Sequence, residues 1–181
     1  MSQTKEQDLE KDQTYAAMLD MARANGLSNE EFGRIYKAVE SGATMAEIFN
    51  ISKDTLESGY AYAYQLYQAG NYEDAEKLFR GLTLYSNRDA RLWMGLAGCL
   101  QARNAYSDAI DAYTMAGVVS SLKDPAPFYY ACLCYIKMGD RENAIAGLKG
   151  ALTIGDENDP AHKTFHDRMK GLLASLEQPK E

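Results

Sequence analysis

Basic residues are outnumbered in this chain: 19 Lys and Arg stand against 26 Asp and Glu, for a net charge of −7. Nucleic-acid binding needs clustered cations to neutralise phosphates, so that class of partner is not expected. No apolar run reaches the roughly 18 residues of a membrane-spanning helix, so membrane insertion is not expected either. The opening MSQTKEQDLEKDQT is polar and acidic and lacks the basic start and apolar core of a signal peptide. Cysteine is confined to Cys99, Cys132 and Cys134, an odd set with no CxxC pair. That usage fits a reducing cytoplasm and no disulfide framework. Phosphate loops and a nucleophile elbow are missing, and Ser120 and Ser121 have no histidine close by in sequence. Enzymatic chemistry and a bound cofactor are therefore not expected.

What is present is a 46% hydrophobic chain with an internal repeat. Gly59 and Tyr62-Ala63 precede Ala75 and Phe79; Trp93 and Leu96-Ala97 precede Ala109 and Tyr113; Phe128 and Ala131-Cys132 precede Ala144 and Leu148. Ala75, Ala109 and Ala144 are separated by 34 and then 35 residues. A period near 34 with small residues at fixed places is the mark of stacked helix pairs of tetratricopeptide type. The fold expected is all-α: an α-solenoid of three such repeats, over about 56–89, 90–123 and 125–158 within 54–157, with N-terminal helices and a C-terminal capping helix over 159–177. Small residues (Ala63, Ala97, Cys132; Ala75, Ala109, Ala144) allow the helices to cross. Tyr62, Phe79, Trp93, Leu96, Tyr113 and Phe128 fill the space beside them. Tyr60 to Tyr64 alternates aromatic and alanine as a strand would, but 56–70 fits the repeat.

Residues 1–13, charged and without periodicity, read as a disordered tail or a frayed helix. Residues 14–50 read as a helical segment. An apolar cluster over Tyr15–Ala24 stops at Asn25-Gly26. Ser28 and Glu31 make a capping box ahead of Phe32, Ile35, Tyr36 and Val39, spaced for one helix face. Met45–Phe49 has room for one helical turn. The amphipathic stretch of 15–40 is expected to form a homodimer contact, to fold over the array or to cap its first pair. Helix starts follow at Ser52 or Asp54, Asp89, Asp124-Pro125 and Asp159-Pro160, with aspartate as the cap and proline where its missing N–H costs nothing.

Stacked pairs leave a concave surface lined by their first helices. The side chains turned to it are Glu57, Tyr60, Tyr64 and Tyr67, then Arg91, Met94, Gly98 and Gln101, then Ala126, Tyr129, Leu133 and Ile136. The surface is aromatic and apolar, with a hollow at Gly98 and one cation, Arg91. It suits an extended or partly helical peptide offering apolar side chains. His162 and His166 share one helix face beside Asp167, but no third ligand is evident, and no metal site is expected. The acidic run of Asp156, Glu157 and Asp159 reads as a helix start and not as a calcium site.

Several segments are more specific than the repeat itself. They are Ser41-Gly42-Ala43-Thr44, Thr55-Leu56 with Tyr60, Tyr67-Gln68-Ala69-Gly70-Asn71-Tyr72-Glu73-Asp74-Ala75, Leu78-Phe79, Gly95-Leu96-Ala97 and the Asp124-Pro125 to Ala131 entry. On these, over roughly 38–160, the chain resembles the class II chaperones of bacterial type III secretion, the SycD/LcrH-like group. The resemblance implies an all-α, cytoplasmic bacterial protein that holds an apolar segment near the N-terminus of a hydrophobic translocator and prevents its aggregation and premature association. It implies first pockets at Tyr60, Tyr64, Tyr67 and Tyr72, with Met94, Gly98, Tyr129 and Leu133 continuing the groove. A general tetratricopeptide adaptor or regulatory module is the alternative.

Overall fold

The computed structural model describes residues 2–156 and 158–178. Glu157 and Met1 lie outside the described residues, and so do the parts of the tail and acidic-run readings that rest on them. The helices, in order, are α1 (Ser2–Ala24), α2 (Asn29–Glu40), α3 (Met45–Ile48), α4 (Lys53–Gln68), α5 (Tyr72–Tyr85), α6 (Ala90–Ala102), α7 (Tyr106–Val119), α8 (Ala126–Met138), α9 (Arg141–Ala151) and α10 (Pro160–Glu177). Among the described residues there is no strand. The chain divides into two compact units, residues 1–50 and 51–181.

In the first unit the tail reading meets a helix: α1 begins at Ser2 and continues unbroken to Ala24. Residues 2–13 contain no glycine or proline and are mostly Lys, Glu, Gln, Asp and Leu, which extend a helix once the Tyr15–Ala24 stretch has nucleated it. The Ser28 capping box is formed, the hydroxyl accepting from the Glu31 amide at 3.2 Å and the carboxylate from the Ser28 amide at 2.9 Å. Thr44 and Glu47 build a second box, which holds the four-residue α3. Tyr15 packs on Phe32 and Tyr36 with ring centroids at 5.3 and 4.7 Å. Val39, by contrast, is 57% exposed.

The second unit alternates helices and tight turns. Ser52, Asn71, Asp89, Asp140 and Asp159 each accept a backbone N–H at a helix start. The turn between α4 and α5 takes a left-handed backbone at Gly70 (φ +80°), and Asn104 (φ +63°) does the same between α6 and α7. Asp124 caps one residue earlier than a standard N-cap, its Oδ1 accepting from the Ala126 amide at 2.8 Å, and α8 starts at Ala126. The crossing residues Ala63, Ala75, Ala97, Ala109 and Ala144 are fully buried, and Cys132 nearly so. One core runs from α4 to α8 around Phe79, Leu92, Leu96, Leu100 and Tyr113. A second joins α8, α9 and α10 around Cys132, Leu148 and Met169. Burying a side chain the size of Phe79 or Leu148 stabilises the fold by about 1.5–3 kcal/mol.

One packing expectation is corrected. Tyr62 does not fill core space; it is 58% exposed. Leu96, its counterpart in α6, is buried because α5 precedes α6, whereas α4 opens the second unit and has no preceding second helix within it.

Candidate functional site

Tyr60, Tyr64 and Tyr67 fall three and four residues apart on α4, so they share one helix face. Their rings form a ladder: Tyr60 and Tyr64 lie 6.1 Å apart and 11° from parallel, Tyr64 and Tyr67 6.4 Å apart and 22° from parallel. Opposite them α6 presents Arg91, Met94, Gly95, Gly98 and Gln101. Between the two helices lies a cavity of about 520 Å³, completed by Phe79, Ala90, Tyr113, Asp124 and Tyr130.

Two glycines give the cavity its depth for different reasons. A β-carbon on Gly95 would sit 2.4 Å from the Phe79 ring, so this glycine lets α6 close onto the core. A β-carbon on Gly98 would meet Tyr67 at 3.4 Å, ordinary contact, so this glycine leaves a hollow and not a close approach.

The polar atoms in the wall are mostly engaged. The Tyr113 hydroxyl donates to Gln101 Oε1 at 2.6 Å. Burial raises the Tyr113 phenol far above its ordinary range and raises Tyr67 as well, so both remain protonated donors. Arg91 bonds to Glu57 Oε1 and to Asp89 Oδ2, each at 2.6 Å, and its guanidinium lies 4.9 Å from the Tyr60 ring centroid. Hydrogen bonding to Arg91 holds Glu57 below the usual carboxylate range. At Asp89 burial opposes ionisation, and the side-chain and backbone bonds from Arg91 outweigh it. Arg91 therefore ties α4 to α6 and is already satisfied by two carboxylates.

Of the residues chosen from sequence, Tyr60, Tyr64, Tyr67, Met94, Gly98 and Gln101 line this cavity. Tyr72 does not line it; its ring meets Tyr67 edge-on at 5.4 Å. Tyr129 packs against Phe165 of α10 at 5.5 Å. Ile136 lines a separate hollow with Gly139, Arg141, Ser175, Leu176 and Gln178. Leu133 is half-buried on α8 and lines neither. The sequence reading missed Tyr130 and left Asp124 as a helix cap only. No spacing signal marks Tyr130, since the frame that puts Ala131 and Cys132 at the crossing assigns Tyr129 to the groove. Tyr130 stacks on Tyr113 at 5.6 Å, a contact between repeats that appears only on folding.

The remaining reactive groups are committed to packing. Burial pushes the Cys99 thiol up to about 12 and those of Cys132 and Cys134 up to about 11, which keeps them protonated and unreactive. His162 Nδ1 accepts the Asp156 amide at 3.0 Å, and buried His166 donates from Nε2 to the Ile154 carbonyl at 2.7 Å. The two rings thus brace the turn before α10. Among the described residues no cluster of three or more His, Cys, Asp or Glu side chains is placed to hold a metal ion, and no helix is long and apolar enough to cross a membrane.

Comparison with known proteins adds to this geometry. Residues 66–116 match a tetratricopeptide repeat family model. The chain is 34% identical over 143 residues to the low calcium response locus protein H of Yersinia pseudotuberculosis, covering 79% of this chain and 84% of that protein. Among solved structures it superimposes on the Yersinia enterocolitica type III secretion translocator chaperone SycD with a TM-score of 0.67 and 34% identity, covering 74% of this chain and 98% of that one. The same Yersinia chaperone in complex with a peptide of the translocator YopD matches with a TM-score of 0.64 and 35% identity, over 70% of this chain and 95% of that one.

Proposed function

The chain belongs to the SycD/LcrH-like family of type III secretion chaperones, and we propose on that premise that it holds an apolar segment of a translocator in the groove between α4 and α6 until secretion. The observation that carries this reading is the tyrosine ladder of Tyr60, Tyr64 and Tyr67 facing an open cavity of about 520 Å³, with Tyr64 46% exposed. Large aromatic side chains left open to water on a concave face cost hydrophobic free energy unless a partner covers them. The related chaperone solved with a translocator peptide supplies the class of partner.

The mechanism is masking. A translocator destined for a membrane carries apolar segments that would aggregate in the bacterial cytoplasm. Filling two or three apolar pockets offsets the ordering cost of a short peptide and reaches micromolar binding, roughly −8 kcal/mol, weak enough for the secretion machinery to strip the cargo. The chemistry is non-covalent throughout, and no enzymatic step is assigned. Residues 54–157 act as the binding repeats, 159–177 as their cap, and 15–40 as a homodimer contact.

The test is a pull-down of a candidate translocator with the wild-type protein and with the Tyr64→Ala, Tyr67→Ala double variant. The double variant is expected to lose at least about tenfold in affinity, about 1.4 kcal/mol. Undiminished capture by a folded double variant would sink the groove assignment.

A further inference from the structure

A peptide segment laid in this cavity brings backbone N–H and C=O groups against a wall rich in aromatic rings. Each group turned away from water needs a partner or carries a desolvation penalty. The wall has few to offer. At the charged end, by the helix starts, Arg91 is already held by Glu57 and Asp89. At the other end stand Tyr67, Gly98 and Gln101.

Gln101 follows Gly98 by three residues on α6, so it stands one turn beyond the hollow on the same face. Its Oε1 accepts the Tyr113 hydroxyl at 2.6 Å. Tyr113 is buried and its phenol stays protonated. Turning the carboxamide over would leave that buried phenol proton without its acceptor. Tyr113 is itself stacked on Tyr130 at 5.6 Å, and Tyr130 meets Phe165 of α10 edge-on at 6.0 Å. Gln101 Nε2 has no hydrogen-bond partner among the described residues and is not buried. Tyrosine hydroxyls in the wall rotate and either donate or accept, whereas this carboxamide presents N–H donors only. An apolar hollow beside a donor of fixed polarity is complementary to one extended amino-acid residue, its side chain in the hollow and its carbonyl on the donor. Helical carbonyls are spent on their own helix.

We infer that Gln101 is a specificity residue of the groove: its Nε2 donates to one main-chain carbonyl of an extended segment at the Gly98 hollow, and Tyr113 positions it. The inference rests on the reading of this cavity as the peptide groove. It deepens that reading, because one anchored carbonyl sets the register in which the flanking side chains meet the apolar wall.

Overlapping fluorescein-labelled peptides from the N-terminal part of a candidate translocator are screened by anisotropy, and the tightest binder is the probe. In its analogues each backbone amide in turn is replaced by an ester, whose carbonyl is the weaker acceptor. Against the wild-type protein at least one ester is expected to weaken binding about two- to tenfold, the range of a neutral hydrogen bond. Gln101→Leu is expected to weaken the all-amide probe by a similar factor and to abolish the penalty of that ester, since two changes to one bond do not add. Tyr113→Phe, which frees the carboxamide, is expected to weaken binding in the wild-type background and to add little in Gln101→Leu. The Nε2 proton resonances of Gln101, identified by their absence in Gln101→Leu, are expected to move downfield when the probe binds. If Gln101→Leu does not fold, Gln101→Glu keeps an oxygen for Tyr113 and removes the donor. An ester profile identical in wild type and variant, or unmoved Nε2 resonances, would overturn the role of Gln101 and leave the groove standing. Binding of none of the peptides would overturn the groove reading itself, and this inference with it.

Discussion

At the scale of single residues, two glycines three positions apart on one helix do opposite work. Gly95 and Gly98 both sit in the middle of α6, and either one costs about 1 kcal/mol of helix propensity relative to alanine. Gly95→Ala drives a methyl to 2.4 Å from the ring of the fully buried Phe79. Overpacking of this kind is expected to destabilise by about 1–3 kcal/mol, outweighing the propensity gain. Gly98→Ala meets Tyr67 at 3.4 Å and should leave stability unchanged or up to about 1 kcal/mol higher. Its methyl occupies the hollow, so peptide affinity should fall. Urea unfolding of both variants, paired with peptide binding to Gly98→Ala, separates the two roles. An equally stable Gly95→Ala would show that Phe79 has room to move.

At the scale of elements, α10 covers the apolar face that α8 and α9 leave open. It closes the core at Cys132, Leu148 and Met169, and it spreads Phe165 over both Tyr129 and Tyr130. Its start is held by Asp159 and Pro160. Its far end is held by α9: Arg141 donates to the carbonyls of Leu176 and Gln178, and Lys149 pairs with Glu177 at 2.8 Å. Arg141 thus supplies donors to carbonyls that a helix end leaves unpaired. Arg141→Ala is expected to cost the last turn of α10 about 1–2 kcal/mol, seen as roughly five- to thirtyfold faster amide hydrogen exchange over residues 172–177. Exchange in α4 and α6 should not change. Unaltered exchange in α10 would mean that Lys149 and the Leu172, Leu173 and Leu176 contacts suffice.

At the scale of the whole molecule, the carboxylates set the response to acid. Glu31 is depressed by its bond to Ser28, Glu57 by Arg91, Asp74 by Asn71 and Lys77, Asp140 by Asn143 and Asp156 by Asn158. Burial at Glu76 opposes ionisation, and its bonds to Arg80 and Arg103 outweigh it. Carboxylates with lowered folded-state values stabilise the fold above the unfolded-state range near pH 4, and that contribution is lost as pH falls through the folded-state values. Buried Tyr67 and Tyr113 have raised values, so their contribution holds below about pH 10 and is lost as pH rises beyond it. The urea midpoint is therefore expected to be flat from about pH 5 to about pH 8 and to fall on both sides, the alkaline loss starting with the buried thiols of Cys99, Cys132 and Cys134. A midpoint that rose below pH 4 would contradict the acid-side assignment.

How much of this was legible in the chain follows from the range of the interactions. Helix starts and turns depend on neighbours in sequence. Ser28 with Glu31, Asp159 with Pro160, and Gly70 could therefore be read directly, while the Thr44–Glu47 box was open to the same reading and was passed over. The repeat itself was legible because small residues recur where helices must cross, and Ala63, Ala75, Ala97, Ala109 and Ala144 are buried accordingly. The tyrosine face of α4 needed only the helical period. What sequence alone could not decide was which side chains of different helices meet. Tyr62 stays exposed because nothing in its unit precedes α4, Tyr129 is covered by Phe165 from α10, and Tyr130 turns to the cavity against Tyr113. The sequence by itself determined the repeat helices, their pairing and the family. The tertiary structure decided the floor and the charged end of the groove, because those depend on contacts between residues tens of positions apart that no local period encodes.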